Sequence, residues 1–233
     1  MAEFILVHGG GHGAWCWELL QAELAALGHR THAMDMPVDR PGADIDAYAR
    51  SVLEAVAGKA ADDAYLVGHS MGGLVVPRVA MARPGARIVF LCAGFAHTSE
   101  TEQRENYSVL SAEAYSKHLV RDAEGRTTMP AERAIEGYYH DVPRELAEWA
   151  VGRLRSQWAD AHLTAGPIPP YRDRVAGIVD CADDRILDAG RHALLARQRF
   201  GIDPVMLPGS HSPFLSRPAA LAEVLDRIVH ANR

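Results

Sequence analysis

Gly68-His69-Ser70-Met71-Gly72-Gly73 decides how this chain reads. Ala64-Tyr65-Leu66-Val67 leads in, a short apolar run of the kind that forms a buried strand. Leu74-Val75-Val76 leads out and reads as the start of a helix. Gly-x-Ser-x-Gly between a strand and a helix describes a turn too tight for neighbouring Cβ atoms. Such a turn lifts the Ser70 hydroxyl clear of the sheet, where a substrate and a base can both reach it.

The flanking chain supplies the sheet that such a turn needs. Phe4-Ile5-Leu6-Val7 predicts a first strand buried on both faces, and the glycine-dense His8-Gly9-Gly10-Gly11-His12-Gly13 follows it. Trp17, Leu20, Leu24 and Leu27 recur at helical spacing, with Gly28 as the stop. Arg30 to Met34 is a weaker strand. Asp44 can cap a helix whose face is Ile45, Ala49, Val52 and Val56. Pro77 is expected to kink the helix after Ser70. Arg87 to Cys92 is the next buried strand, ending at Ala93-Gly94. This alternation predicts an α/β fold, a mostly parallel sheet of about six strands with helices on both faces. Ligands in such sheets bind at the carboxyl ends of the strands, where the loops at His8 to Gly13, Ser70 and Gly94 lie.

From about residue 97 to 170 the strand-like runs disappear. Residues 97–128 are polar and without a clear period. Pro130 to Tyr138 and Pro143 to Trp158 read as helical, the second with Leu146, Trp149, Ala150, Leu154 and Trp158 on one face. A helical cap inserted between two sheet strands accounts for a stretch too long for an ordinary crossover. The expected organisation is a core over 1–96, a helical cap over 97–170, and the rest of the core over 171–233. In that last part Val175 to Val179 and Val205-Met206-Leu207 are strands. Ala189 to Phe200 is a helix, and Pro218 opens a final helix.

At 233 residues, 48% apolar and 23% charged, the chain has the composition of one globular domain. A net charge of −6 with no basic run argues against a nucleic-acid partner. No apolar run is long enough for a membrane span. Cys16, Cys92 and Cys181 are odd in number, far apart and free of any C-x-x-C. Met1-Ala2-Glu3-Phe4 enters a strand pattern without a secretory leader. Both features lead to the expectation of a cytoplasmic protein.

A serine hydroxyl needs a general base, and the base needs an orienting acid. Of twelve histidines, His211 is the candidate: it lies in Gly209-Ser210-His211-Ser212-Pro213-Phe214, directly after the last strand. Asp180, Asp183 and Asp184 compete for the acid, and the residues alone leave that choice open. The oxyanion of a tetrahedral intermediate calls for two backbone donors. The N–H of Met71 is one, and the loop at Gly9-Gly10 offers the other, with Gly10 favoured. The glycine loop fits no phosphate-binding pattern. His8 and His12 sit in a loop without clustered carboxylates, so no metal site is expected, and both are read as hydrogen-bonding to hold the loop.

Taken together, His8-Gly9-Gly10-Gly11-His12-Gly13-Ala14-Trp15, the Ser70 turn, Tyr139-His140-Asp141 with Trp149-Ala150, and His211-Ser212-Pro213-Phe214-Leu215-Ser216 resemble a known family. It is the compact branch of the α/β-hydrolase superfamily that contains plant methyl esterases, hydroxynitrile lyases and bacterial esterases. The resemblance covers nearly the whole chain. It implies an α/β-hydrolase fold and places the acid at Asp184 within Cys181-Ala182-Asp183-Asp184-Arg185-Ile186, 27 positions before His211. Lyases of this branch often carry Lys after the catalytic His, Glu before the nucleophile, and Thr or Asn after the first His of the glycine loop. Here those positions hold Ser212, His69 and Gly9, which favours ester hydrolysis.

The expected activity is cofactor-independent hydrolysis of a small to medium apolar ester by Ser70, His211 and Asp184. A cyanohydrin lyase or lactonase on the same residues is one alternative, and a non-catalytic small-molecule receptor is the other. The pocket is expected to be lined by Gly9, Trp15, Phe95, Trp149, Leu187 and Phe214. The resemblance is compatible with a homodimer.

Overall fold

The computed structural model describes residues 1–109, 116–159, 161 and 165–232. In chain order its strands are β1 (Glu3–Val7), β2 (Arg30–Ala33), β3 (Tyr65–His69), β4 (Arg87–Leu91), β5 (Val120–Arg121), β6 (Arg126–Thr128), β7 (Gln157–Trp158), β8 (Val175–Cys181) and β9 (Val205–Leu207). Its α-helices are α1 (Glu18–Ala26), α2 (Ile45–Val56), α3 (Gly72–Met81), α4 (Glu100–Val109), α5 (Ala131–Tyr138), α6 (Arg144–Val151), α7 (Ala189–Phe200), α8 (Pro213–Ser216) and α9 (Pro218–Ala231). Six strands form one sheet in the order β2-β1-β3-β4-β8-β9, and every neighbouring pair is parallel.

Alternation along the strands divides the core between the two faces of this sheet. Ile5, Val7, Leu66, Ile88 and Phe90 face α2, α3 and α7, where Tyr48, Val52, Val76, Val79 and Phe200 meet them. Phe4, Leu6, Val67, Val89 and Leu91 face the other way, toward Leu20 and Leu24 of α1 and Leu221, Leu225 and Val229 of α9. Each such side chain contributes about 1.5–3 kcal/mol on burial, so packing dominates over helix propensity here. Local signals set the helix ends. Asp44 accepts from the Ala47 N–H at 2.7 Å to start α2, and Asp188 accepts from Arg191 at 3.0 Å to start α7. Gly201, in the left-handed region at φ 72°, ends α7. Helix α3 runs through Pro77 to Met81.

Register places the site. Val7 pairs with Gly68 and His69 with Leu91, so β1, β3 and β4 end at one edge. Cys181 pairs with Leu207, which brings the loops after β8 and β9 to that same edge. Five chain segments therefore converge at the carboxyl ends of parallel strands.

Between β4 and β8 the insertion holds helices α4, α5 and α6, and to the helices expected there the structure adds three short strands. Residues 110–115 lie outside the described residues, but β5, β6 and β7 make a small antiparallel sheet in that order. The predicted helix from Pro143 to Trp158 stops at Val151, and Trp158 belongs to β7. Gly152 closes the helix, and Arg155 is then held by the glycine loop, its N–H bonding Gly11 O at 2.7 Å. Among the described residues no helix is long and apolar enough to cross a membrane.

Candidate active site

Ser70 stands between β3 and α3 with φ at 51°, a left-handed conformation rare outside glycine. Holding a serine there costs about 1–3 kcal/mol, so its surroundings must enforce it. They do. The Ser70 N–H donates to Leu91 O at 3.2 Å, and Ser70 O accepts from Gly73 and Gly94 at 3.1 and 3.2 Å. A Cβ on Gly68 would come within 2.7 Å of Gly72 O, and one on Gly72 within 2.5 Å of Val7 O. The glycines of the motif are thus required by the close approach of backbone on both sides.

The three aspartates left open by the residues alone have three different partners. Asp180 Oδ2 is 2.7 Å from His192 Nδ1, both groups buried. Asp183 Oδ2 accepts from the Gly209 N–H at 2.9 Å. Asp184 Oδ2 is the one that meets His211 Nδ1, at 2.7 Å. Its other oxygen, Oδ1, accepts from the N–H groups of Ile186 and Leu187 at 2.7 and 3.0 Å. Burial pushes the Asp184 carboxyl up, but His211 and these two amides outweigh it, and the group sits below the ordinary carboxylate range. A carboxylate facing Nδ1 fixes the tautomer with the proton on Nδ1 and the lone pair on Nε2. His211 Nε2 is buried and makes no hydrogen bond among the described residues. The loop carrying His211 is tied to the Ser70 turn through His69, whose Nε2 donates to His211 O at 2.9 Å with the two rings 4.8 Å apart.

Histidines also hold the glycine loop. His8 Nδ1 donates to Gly9 O at 2.8 Å, and its Nε2 accepts from the Met36 N–H at 3.0 Å. His12 Nδ1 donates to Gly10 O at 2.8 Å, and its Nε2 accepts from the Tyr139 hydroxyl at 2.8 Å. Each ring uses one donor and one acceptor, which is the neutral form. Burial is the main reason that His8 is pushed down to about 4 and His12 to about 3, and that His69 lies well below its ordinary value. His12 fixes the Gly10 carbonyl and with it the plane of the Gly10–Gly11 peptide. Among the described residues, neither the Gly10 N–H nor the Met71 N–H is taken by an internal acceptor.

The expected pocket wall is only partly where the sequence suggested. Trp15 stacks on His12 at 5.5 Å and meets Trp149 edge-on at 5.4 Å, both half-buried. Leu187 is buried and gives its N–H to Asp184, and Gly9 is buried against His69 and Ser70. Phe95 is corrected to a core residue: it has no exposed surface and packs among Phe90, Phe200 and His192. Phe214 is likewise in the core, behind His69 at 4.8 Å and against Trp17 at 5.0 Å. A cavity of about 20 Å³ does open beside Gly10, lined by Gly11, Met129, Tyr138, Leu154 and Gln157 among others, and none of the expected wall residues borders it. A larger surface hollow of about 330 Å³ lies around Pro37, Arg40 and Arg50, and none of the expected wall residues lines it. Gln157 was missed by the sequence reading. Its Nε2 reaches Met71 Sδ at 3.0 Å, and a Cβ on Gly10 would overlap its Oε1.

Cys92, at φ 44°, brings its thiol to within 4.8 Å of the Asp184 and His211 side chains. A hydrogen bond with Cys181 and burial push this thiol well above its ordinary value, so it stays protonated, and His211 Nδ1 is already committed to Asp184. That trio makes a poor metal site.

A parallel sheet with a strained serine turn, a histidine–carboxylate pair and a glycine loop at its carboxyl edge defines the α/β-hydrolase class. The model of the alpha/beta hydrolase family matches residues 4–224, and the chain belongs to that family. Within it, the chain is similar to Methylesterase 7 of Arabidopsis thaliana, 38% identical over 96% of this chain and 94% of that protein. It also matches the probable esterase PIR7A of Oryza sativa subsp. indica, at 43% identity but over 39% of this chain and only 38% of that protein. Among solved structures, polyneuridine aldehyde esterase superposes with a TM-score of 0.81 at 20% identity, over 98% and 99% of the two chains, which shows the shared fold. These relatives are named as esterases, and the chain spans less than two fifths of the length of the rice esterase it matches.

Proposed function

We propose that this protein is a cofactor-independent serine carboxylic ester hydrolase acting on a small to medium, largely apolar ester. The observation that carries the reading is the 2.7 Å Asp184–His211 contact with His211 Nε2 left buried and unpartnered among the described residues, in a loop bonded to the residue preceding Ser70. In this mechanism Ser70 Oγ attacks the ester carbonyl and His211 Nε2 takes its proton. Asp184 holds the ring and stabilises the imidazolium. The carbonyl oxygen becomes an oxyanion that accepts from the Gly10 and Met71 N–H groups. As the intermediate collapses, the C–O bond to the alcohol breaks and His211 returns the proton to the leaving oxygen. Water, deprotonated by His211, then cleaves the acyl-enzyme and restores Ser70.

The residue after His211 is the buried Ser212, which carries no cation to hold cyanide, and the residue after His8 is Gly9, which carries no hydroxyl. This favours hydrolysis over cyanohydrin cleavage. The insertion between β4 and β8 serves in this reading as the cap that closes the site, and the substrate is a free small molecule. An ester panel varied separately in acyl and alcohol size tests the proposal, with Ser70→Ala as the blank and cyanide release measured alongside. Alcohol release by the wild type and none by the variant is expected. Turnover that survives in Ser70→Ala, or cyanide release exceeding ester cleavage, overturns the reading.

A further inference from the structure

Gln157 stands where an incoming ester must go. The strand that carries it is pinned at both ends to loops of the main sheet: the Arg155 N–H donates to Gly11 O at 2.7 Å, and the Trp158 N–H to Val38 O at 2.7 Å. Arg155 is held further by Asp39 at 2.7 Å. The Gln157 side chain therefore projects from a fixed backbone. Its carboxamide spans the two residues that carry the free N–H groups, with Oε1 over Gly10 and Nε2 against Met71 Sδ. Behind it, the cavity beside Gly10 has room for about one water molecule.

The direction of the reaction says which half of the ester meets Gln157. The leaving alcohol oxygen must lie within hydrogen-bond reach of His211 Nε2, which gives it the proton. The carbonyl oxygen faces the Gly10 and Met71 N–H groups, and the acyl half takes the space left beside them, at Gln157 and the cavity lined by Met129, Tyr138 and Leu154. We infer that Gln157 is the specificity-determining residue for acyl size: its carboxamide fills the acyl end of the site and restricts the enzyme to esters of short acyl chains. This rests on the ester-hydrolase reading above.

The test uses p-nitrophenyl esters from acetate to octanoate, which vary the acyl group alone, on wild type, Gln157→Ala and Gln157→Leu. Clearing the carboxamide in Gln157→Ala should raise the octanoate-to-acetate ratio of kcat/KM about tenfold or more, because a pocket of a few methylenes discriminates on that scale. Gln157→Leu keeps the bulk without the amide and should stay within about threefold of wild type in that ratio. Labelling by a small fluorophosphonate, which tests Ser70 independently of acyl length, and the melting temperature confirm that both variants are folded and competent. An unchanged ratio in Gln157→Ala overturns the inference, as does a shift in Gln157→Leu equal to that in Gln157→Ala. Absence of turnover and of labelling in the wild type strikes instead at the hydrolase reading itself.

Discussion

Acid should unfold this protein unusually early, and the reason lies in three histidines around the candidate site. His8, His12 and His69 are fully buried, and burial holds His8 at about 4, His12 at about 3 and His69 well below its ordinary value. In the unfolded chain each returns to about 6.5. The unfolded state thus binds more protons than the native state below about pH 6.5, and stability falls as pH falls. Between pH 7 and pH 5 His8 and His12 cost about 2 kcal/mol each, or about 4 kcal/mol together, against a typical net stability of about 5–15 kcal/mol, and His69 acts in the same direction. His97, also pushed down chiefly by burial, acts in the same direction. Asp184 and Glu3, whose carboxyls lie below their ordinary values, lose their contribution only at lower pH, outside this window. Urea unfolding followed by fluorescence at half-unit steps from pH 7 to pH 5 measures the slope. A free energy that stays level within about 1 kcal/mol over that range would refute the argument. So would a His12→Leu variant with an unchanged slope, since it should lose the share of one proton.

Asp184→Asn should lower kcat by about 10⁴-fold by fixing the wrong tautomer of His211, whereas Asp183→Ala should change activity by less than about threefold, its cost being the Gly209 hydrogen bond. Equal losses in the two would mean the acid is misassigned. Gly72→Ala puts a Cβ at 2.5 Å from Val7 O and should destabilise by about 1–3 kcal/mol or more. Gly152→Ala meets its nearest neighbours at an ordinary 3.6 Å and should stay within about 0.5 kcal/mol by the same thermal melt. Tyr139→Phe leaves His12 Nε2 buried without a donor and should cost about 1–3 kcal/mol in urea titrations; a cost near zero would show that the glycine loop does not depend on it.

Five strands of the main sheet were legible because each is a largely apolar run or a short run directly beside a decisive motif; β2, with the largely polar sequence Arg30-Thr31-His32-Ala33, was legible only as a weaker strand. The Ser70 turn and the His211 loop were legible for a related reason: both need residue types that few other structures require. The choice among Asp180, Asp183 and Asp184 was not, since three carboxylates within five positions differ only in which way the chain turns after β8. Resemblance to a family chose Asp184, and the hydrogen bond to His211 agrees. The small sheet of β5, β6 and β7 left no trace because strands of two and three residues are shorter than any period they could display. Leu154 and Trp158 happen to continue the phase of α6, so the helix was drawn seven residues too long. Phe95 and Phe214 were misplaced because an apolar ring beside a motif reads alike whether it lines a pocket or packs behind it. Gln157 carries no sequence signal at all. Its position depends on the backbone hydrogen bonds of Arg155 and Trp158 to distant loops.

Everything proposed for this site depends on Ser70 being a nucleophile activated by His211. Reaction of the folded protein with a fluorophosphonate, followed by intact mass and peptide mapping, tests it most directly. One label per chain is expected, on Ser70, absent in Ser70→Ala and slower by about 10³-fold or more in His211→Ala. A folded wild type that takes up no label, or a Ser70→Ala variant labelled to the same extent, would contradict it.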